Sequence, residues 1–95
     1  MKYDAKHFIK KFEAIPENKW IVNSFGNNKK HCARGHCGAR SGFVTTDEDL
    51  ALQNLIYKWF NPCCVITIND CELSLGSHPK ERILNALYNI KGAGS

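Results

Sequence analysis

The sequence predicts an α+β domain of three helices packed on a small antiparallel sheet of hairpins. Three observations lead there. Apolar residues recur at helical spacing in three separate segments. Two other segments are rich in β-branched and aromatic residues and are bounded by Gly, Asn or Asp. One of these, residues 64–75, matches a two-residue-loop hairpin in register.

The first helix is expected over residues 4–14. Asp4 can cap it, Ala5, Phe8, Ile9, Phe12 and Ile15 share a face, and Pro16 stops it. The stretch Trp20-Ile21-Val22-Asn23-Ser24-Phe25 reads as a strand, Gly26-Asn27-Asn28 as a turn, and residues 29–33 as a partner strand. Three glycines within residues 35–42 suit a tight turn entering a short helix.

Thr46 opens the second long helix. Asp47, Glu48 and Asp49 suit the positive end of its dipole, and Asp49 is placed to reach back toward the cap. Leu52, Leu55, Ile56, Trp59 and Phe60 form its apolar stripe, and Asn61-Pro62 ends it. With Asn69-Asp70 as a hairpin loop, Cys64, Ile66 and Ile68 face Leu75, Leu73 and Cys71 on one apolar side. The last helix is expected over residues 79–91, with Pro79 in its first turn after Ser77 or His78, Ile83, Leu84, Leu87 and Ile90 on one face, and Gly92 as the stop. Residues 1–91 then form one compact domain and residues 92–95 a flexible tail.

Composition narrows the class. The chain has 95 residues, 43% hydrophobic and 23% charged, which fits one globular domain rather than a disordered chain. No apolar run approaches the ~20 residues of a membrane span. Met1-Lys2-Tyr3-Asp4 holds no apolar signal-peptide core, and five cysteines without one point to a reducing cytoplasm and free thiols.

The net charge of +4 is concentrated in one place. Residues 19–46 hold Lys19, Lys29, Lys30, Arg34 and Arg40, together with His31 and His36, and no acid. Such a segment attracts anions. It overlaps the glycine cluster, and glycines let backbone N–H groups approach a phosphate or carboxylate closely. The expected ligand-binding set is therefore Lys29, Lys30, Arg34, Gly35, His36, Gly38 and Arg40. The simpler alternative is a structural turn with solvated bases. Neither a Walker motif nor G-x-G-x-x-G is present.

Two other chemistries are open to the same residues. His31, Cys32, His36 and Cys37 are zinc-ligand types, though no Cys-x2-Cys knuckle is present. Cys32 or Cys37 with His36 and Asp70 could be drawn as a nucleophile, base and orienting acid. Base stacking on nucleic acid would rest on Phe43 and is the lesser expectation. No motif calls for a cofactor or a metal.

Through Trp20, His31-Cys32-Ala33-Arg34-Gly35-His36-Cys37-Gly38, Ile68-Asn69-Asp70 and Pro79-Lys80-Glu81-Arg82-Ile83-Leu84-Asn85-Ala86-Leu87, the chain resembles a loose class of small uncharacterised bacterial and phage proteins. Its pattern is Cys-Ala-x-Gly-His-x-Gly followed by a C-terminal Pro-Lys-x-Arg-Ile-Leu helix. Arg34 departs from the Leu or Ile usual there, which leaves it either an added anion contact or an exposed side chain. The resemblance implies a phage or mobile-element origin and a host target, such as a defence protein or its nucleotide signal; it implies no activity.

The leading expectation is thus a small cytoplasmic, non-enzymatic protein that binds an anionic, nucleotide-like ligand through the basic glycine-rich segment and counters host defence. The alternative is an interaction module or inhibitor that meets an acidic host protein with the same surface. A Cys/His hydrolase is a third reading.

Overall fold

A computed structural model describes residues 3–22, 30–40, 45–60, 64–71 and 75–92. Among the described residues there are five α-helices: α1 (Ala5–Glu13), α2 (Ala33–His36), α3 (Asp47–Phe60), α4 (Val65–Cys71) and α5 (Pro79–Gly92), with a 3₁₀ turn at Glu17–Lys19. No strand is present among the described residues. A parallel bridge joins Trp20 to His31. The expected α+β fold is therefore overturned in favour of a helical one.

The three long helices begin where their caps place them. The Asp4 side chain accepts from His7 N at 2.9 Å, which lowers the Asp4 pKa. The Thr46 hydroxyl accepts from Asp49 N at 3.1 Å. His78 Nδ1 accepts from Lys80 N at 3.1 Å, with Pro79 in the first turn of α5. The core is built from Phe8 and Phe12 of α1, Leu52 and Ile56 of α3, Val65 and Ile68 of α4, and Ile83, Leu87 and Ile90 of α5. Helix α5 is central: it packs most extensively on α1 and α4 and also touches α2 and α3.

The hairpin expected over residues 64–75 is the largest correction. Residues 65–71 form α4, which buries Val65, Ile68 and Asn69 and turns Ile66 outward, 39% exposed. The buried positions follow i, i+3, i+4 spacing. An apolar run this short fits both periods, and β-propensity spans only about 1 kcal/mol. Tertiary hydrogen bonds decide for the helix. Arg82, 3% exposed, donates to Ile68 O (3.1 Å), Asn69 O (2.7 and 3.2 Å) and Gly76 O (3.3 Å). A guanidinium thus satisfies carbonyls that the last turn of α4 leaves unbonded, at the negative end of its dipole. Cys64 is exposed, not a core residue. Residues 72–74 and the Cys71 side chain lie outside the described residues.

Of the expected strand at 20–25, the described residues 20–22 take part in the bridge: His31 N donates to Lys19 O at 2.9 Å, and Ile21 N to His31 O at 3.2 Å. Its partner runs parallel, not antiparallel. Residues 23–28, with the expected turn and Phe25, lie outside the described residues. Trp59 is the other correction: it is 42% exposed rather than part of the buried stripe of α3. Asn61-Pro62 and Cys63 lie outside the described residues.

Candidate functional site

The basic glycine-rich segment folds around the short helix α2, and most of its chemistry is spent on holding that helix. The Cys32 sulfur caps it, accepting from Gly35 N at 3.4 Å. At the other end Gly38 N donates to Gly35 O at 3.0 Å and Ala39 N to Arg34 O at 3.1 Å. This is the paired-bond helix stop that needs a left-handed residue, and Gly38 supplies it with φ of 99°. A Cβ at Gly38 would meet Thr46 Cγ2 at 2.8 Å, because the Thr46 hydroxyl also donates to Cys37 O at 2.6 Å. Gly38 is required by the helix stop and the close approach of the α3 cap.

Arg34 turns inward. Its Nε donates to both Asp49 oxygens at 3.0 and 3.1 Å, and Nη2 to Oδ2 at 3.0 Å. Arg34 is 6% exposed and Asp49 fully buried. Gln53 Nε2, at 2.9 Å, and the Thr45 hydroxyl complete the carboxylate's bonds. Asp49 therefore faces Arg34 instead of closing a capping box at Thr46. An external anion at Arg34 would have to displace a buried, geometrically matched carboxylate.

Asn69, fully buried, joins the other pieces. Its Oδ1 accepts from Ala33 N at 3.1 Å, at the start of α2, and its Nδ2 donates to Ile21 O at 3.0 Å and Asp70 Oδ1 at 2.7 Å. Its own carbonyl takes Arg82. Residues 20–21, 31–38, 49, 69 and 82 thus form one internal polar knot.

Cys32, Cys37 and His36, which opened the catalytic and metal readings, sit in surroundings that favour their neutral forms. Burial is the chief force raising the Cys37 thiol to about 12, aided by the negative charge of Glu48. Burial likewise raises Cys32 despite the N–H groups of Gly35 and Arg34. Burial and the neighbouring His31 push His36 down to about 4. The His36 ring packs edge-on against Trp20 at 4.7 Å and His31 at 5.4 Å between centroids, and its buried Nε2 has no hydrogen-bond partner among the described residues. A thiol held protonated beside a poorly basic imidazole is the reverse of an activated nucleophile pair. Among the described residues, no three His, Cys, Asp or Glu side chains are grouped to hold a metal ion.

The bridge sets the outer surface. Trp20 and His31 are paired, so Lys19 and Lys30 are adjacent positions on the neighbouring segments. Trp20 is buried and His31 half-buried, whereas Lys19 and Lys30 are exposed. Arg40 is exposed too, its Nη1 donating to Ala39 O at 3.4 Å. Of the seven expected ligand residues, Lys30 and Arg40 stay on the surface. Arg34 and Gly35 are buried, His36 is half-buried and Gly38 is a backbone device. Lys29 and Phe43 lie outside the described residues.

Sequence reasoning missed Asn69 and Arg82 as buried polar organisers. The Asn69-Asp70 pair carries a turn signal that masks a helical Asn, and Arg82 occupies an otherwise ordinary amphipathic pattern. Among the described residues, no helix is long and apolar enough to cross a membrane. No family model matches the chain, and no curated protein or solved structure does.

Proposed function

We propose that the protein is a non-enzymatic interaction module that docks through the cationic surface of Lys19, Lys30 and Arg40 onto an acidic protein surface. The carrying observation is the division of the basic segment. Its best anion fork, Arg34, is paired internally with Asp49, while Lys19 and Lys30, each next to the bridged Trp20–His31 pair, are exposed. Exposed lysines act as diffuse point charges, suited to steering and docking, whereas a built small-anion site needs convergent donors. Gly35 and Gly38 take part in the α2 stop.

The test titrates a short poly-glutamate peptide and, separately, ATP against the wild-type chain over a range of salt. The peptide should bind with an affinity that falls as salt rises. The combined variant Lys19→Glu, Lys30→Glu, Arg40→Glu should abolish binding while folding normally. Saturable one-to-one binding of ATP, tighter than the peptide, would overturn the reading in favour of a small-anion site. Binding of neither probe would overturn it as well.

A further inference from the structure

We propose that the outward face of α3 is a self-complementary dimer interface, on which a second copy of this chain packs antiparallel. Leu50 and Tyr57 of α3 are 46% and 54% exposed. They lie seven residues apart, so they project within about 20° of each other around the helix axis. The core face, with Asp49, Leu52 and Ile56, lies on the other side. Exposed Asp47, Asn54 and Lys58 complete the outward stripe, which covers an arc of about 100°.

The charges on this stripe identify the occupant. Its acid stands at the N-terminal end and its base near the C-terminal end, and neither is paired with a described residue. A parallel copy would bring like charges together. An antiparallel copy related by a two-fold axis near residues 53 and 54 sets Leu50 against Tyr57 of the other chain. It brings each Lys58 within about 3 Å, along the axis, of the opposing Asp47, a gap the lysine stem spans. Asn54 then meets its own counterpart near the axis, as an isologous interface requires. The helix is about 21 Å long, so one helix pair buries less than the ~1,200 Å² of a stable complex, and a weak dimer is expected.

Sedimentation equilibrium from about 10 µM to about 1 mM chain reads this directly, over the affinity range of weak complexes. Wild type should show a reversible monomer–dimer equilibrium, and Leu50→Glu should be monomeric. Asp47→Lys alone and Lys58→Glu alone should each weaken self-association at least tenfold, because each sets like charges against each other at both ends. An equimolar mixture of these two variants should dimerise again, because both charge pairs are then restored. All three positions are exposed, and matching far-ultraviolet spectra would show that the fold is retained. A wild type that stays monomeric to about 1 mM, a dimer indifferent to Leu50→Glu, or a mixture no more associated than its parts would overturn the proposal.

Discussion

Asn69→Asp is nearly isosteric, yet it should be among the most damaging changes in the chain. The wild-type amide faces two ways: Oδ1 accepts from Ala33 N, and Nδ2 donates to Ile21 O at 3.0 Å and to Asp70 at 2.7 Å. A carboxylate keeps the first bond and loses the others. The Ile21 carbonyl is left facing an acceptor, a loss of about 1–3 kcal/mol. A fully buried negative charge beside Asp70 adds to it, bringing the expected cost to about 3–5 kcal/mol. Against a typical 5–15 kcal/mol for a domain, the melting temperature should fall by on the order of 15–30 °C. The sign with pH follows from linkage. Burial raises the new carboxyl's pKa in the fold above its unfolded value, so the variant's deficit is fullest at neutral pH. It shrinks as pH falls through the folded pKa, because the neutral acid can donate to Ile21 O. Urea titrations of variant and wild type at pH 7 and pH 5 measure both effects. A variant within about 1 kcal/mol of wild type at pH 7 would refute the assignment of Asn69 to the knot.

Further outcomes follow from His36 and from the thiols. His36 titrates near 4 in the fold against an ordinary 6.5. The unfolded chain therefore binds this proton first, and stability should be full above pH 6.5 and decline as pH drops toward 4. The ceiling is about 3 kcal/mol, reduced to roughly 1–2 because the ring is only half-buried. His36→Phe should flatten the wild-type slope of urea midpoint between pH 7 and pH 5, and an unchanged slope would remove His36 from the account. Burial raises the Cys64 thiol, but the Thr67 hydroxyl and the backbone N–H groups of Thr67 and Ile66 outweigh it, so its pKa is lowered overall. Iodoacetamide should alkylate Cys64 in the native chain well before Cys32 or Cys37, as peptide mass spectrometry would show. Equal rates would contradict the burial of the latter two.

The ends of the long helices were legible because capping is local chemistry. Asp4, Thr46 and Pro79 each mark a start within a residue or two of the observed one. Residues 65–71 are not legible, because Ile66 and Ile68 fit an alternating pattern while Val65 and Ile68 fit a helical one. The choice is made by Arg82, fourteen residues from Ile68, and by Ala33, thirty-six residues from Asn69. The inward placement of Arg34 is hidden in the sequence for a related reason. Its neighbours in sequence are basic, so it reads as part of a cationic patch, whereas its true partner Asp49 sits among acids that look like helix-start residues. A pairing between two locally well-explained residues leaves no trace in either segment. Gly38 was visible as a turn glycine, but only the close approach of Thr46 gives it a structural role distinct from ligand contact.

The basic glycine-rich segment is organised inward, with Arg34 committed to Asp49. A double-mutant cycle on the folding free energy of Arg34→Met, Asp49→Leu and the combined variant measures that commitment. Each single change leaves a buried charge without its partner and should cost about 3–5 kcal/mol. The combined variant should recover much of the loss, for a coupling energy of at least about 2 kcal/mol. Arg34→Met unfolding within about 0.5 kcal/mol of wild type, with a coupling near zero, would contradict the account and return Arg34 to the surface as an anion ligand.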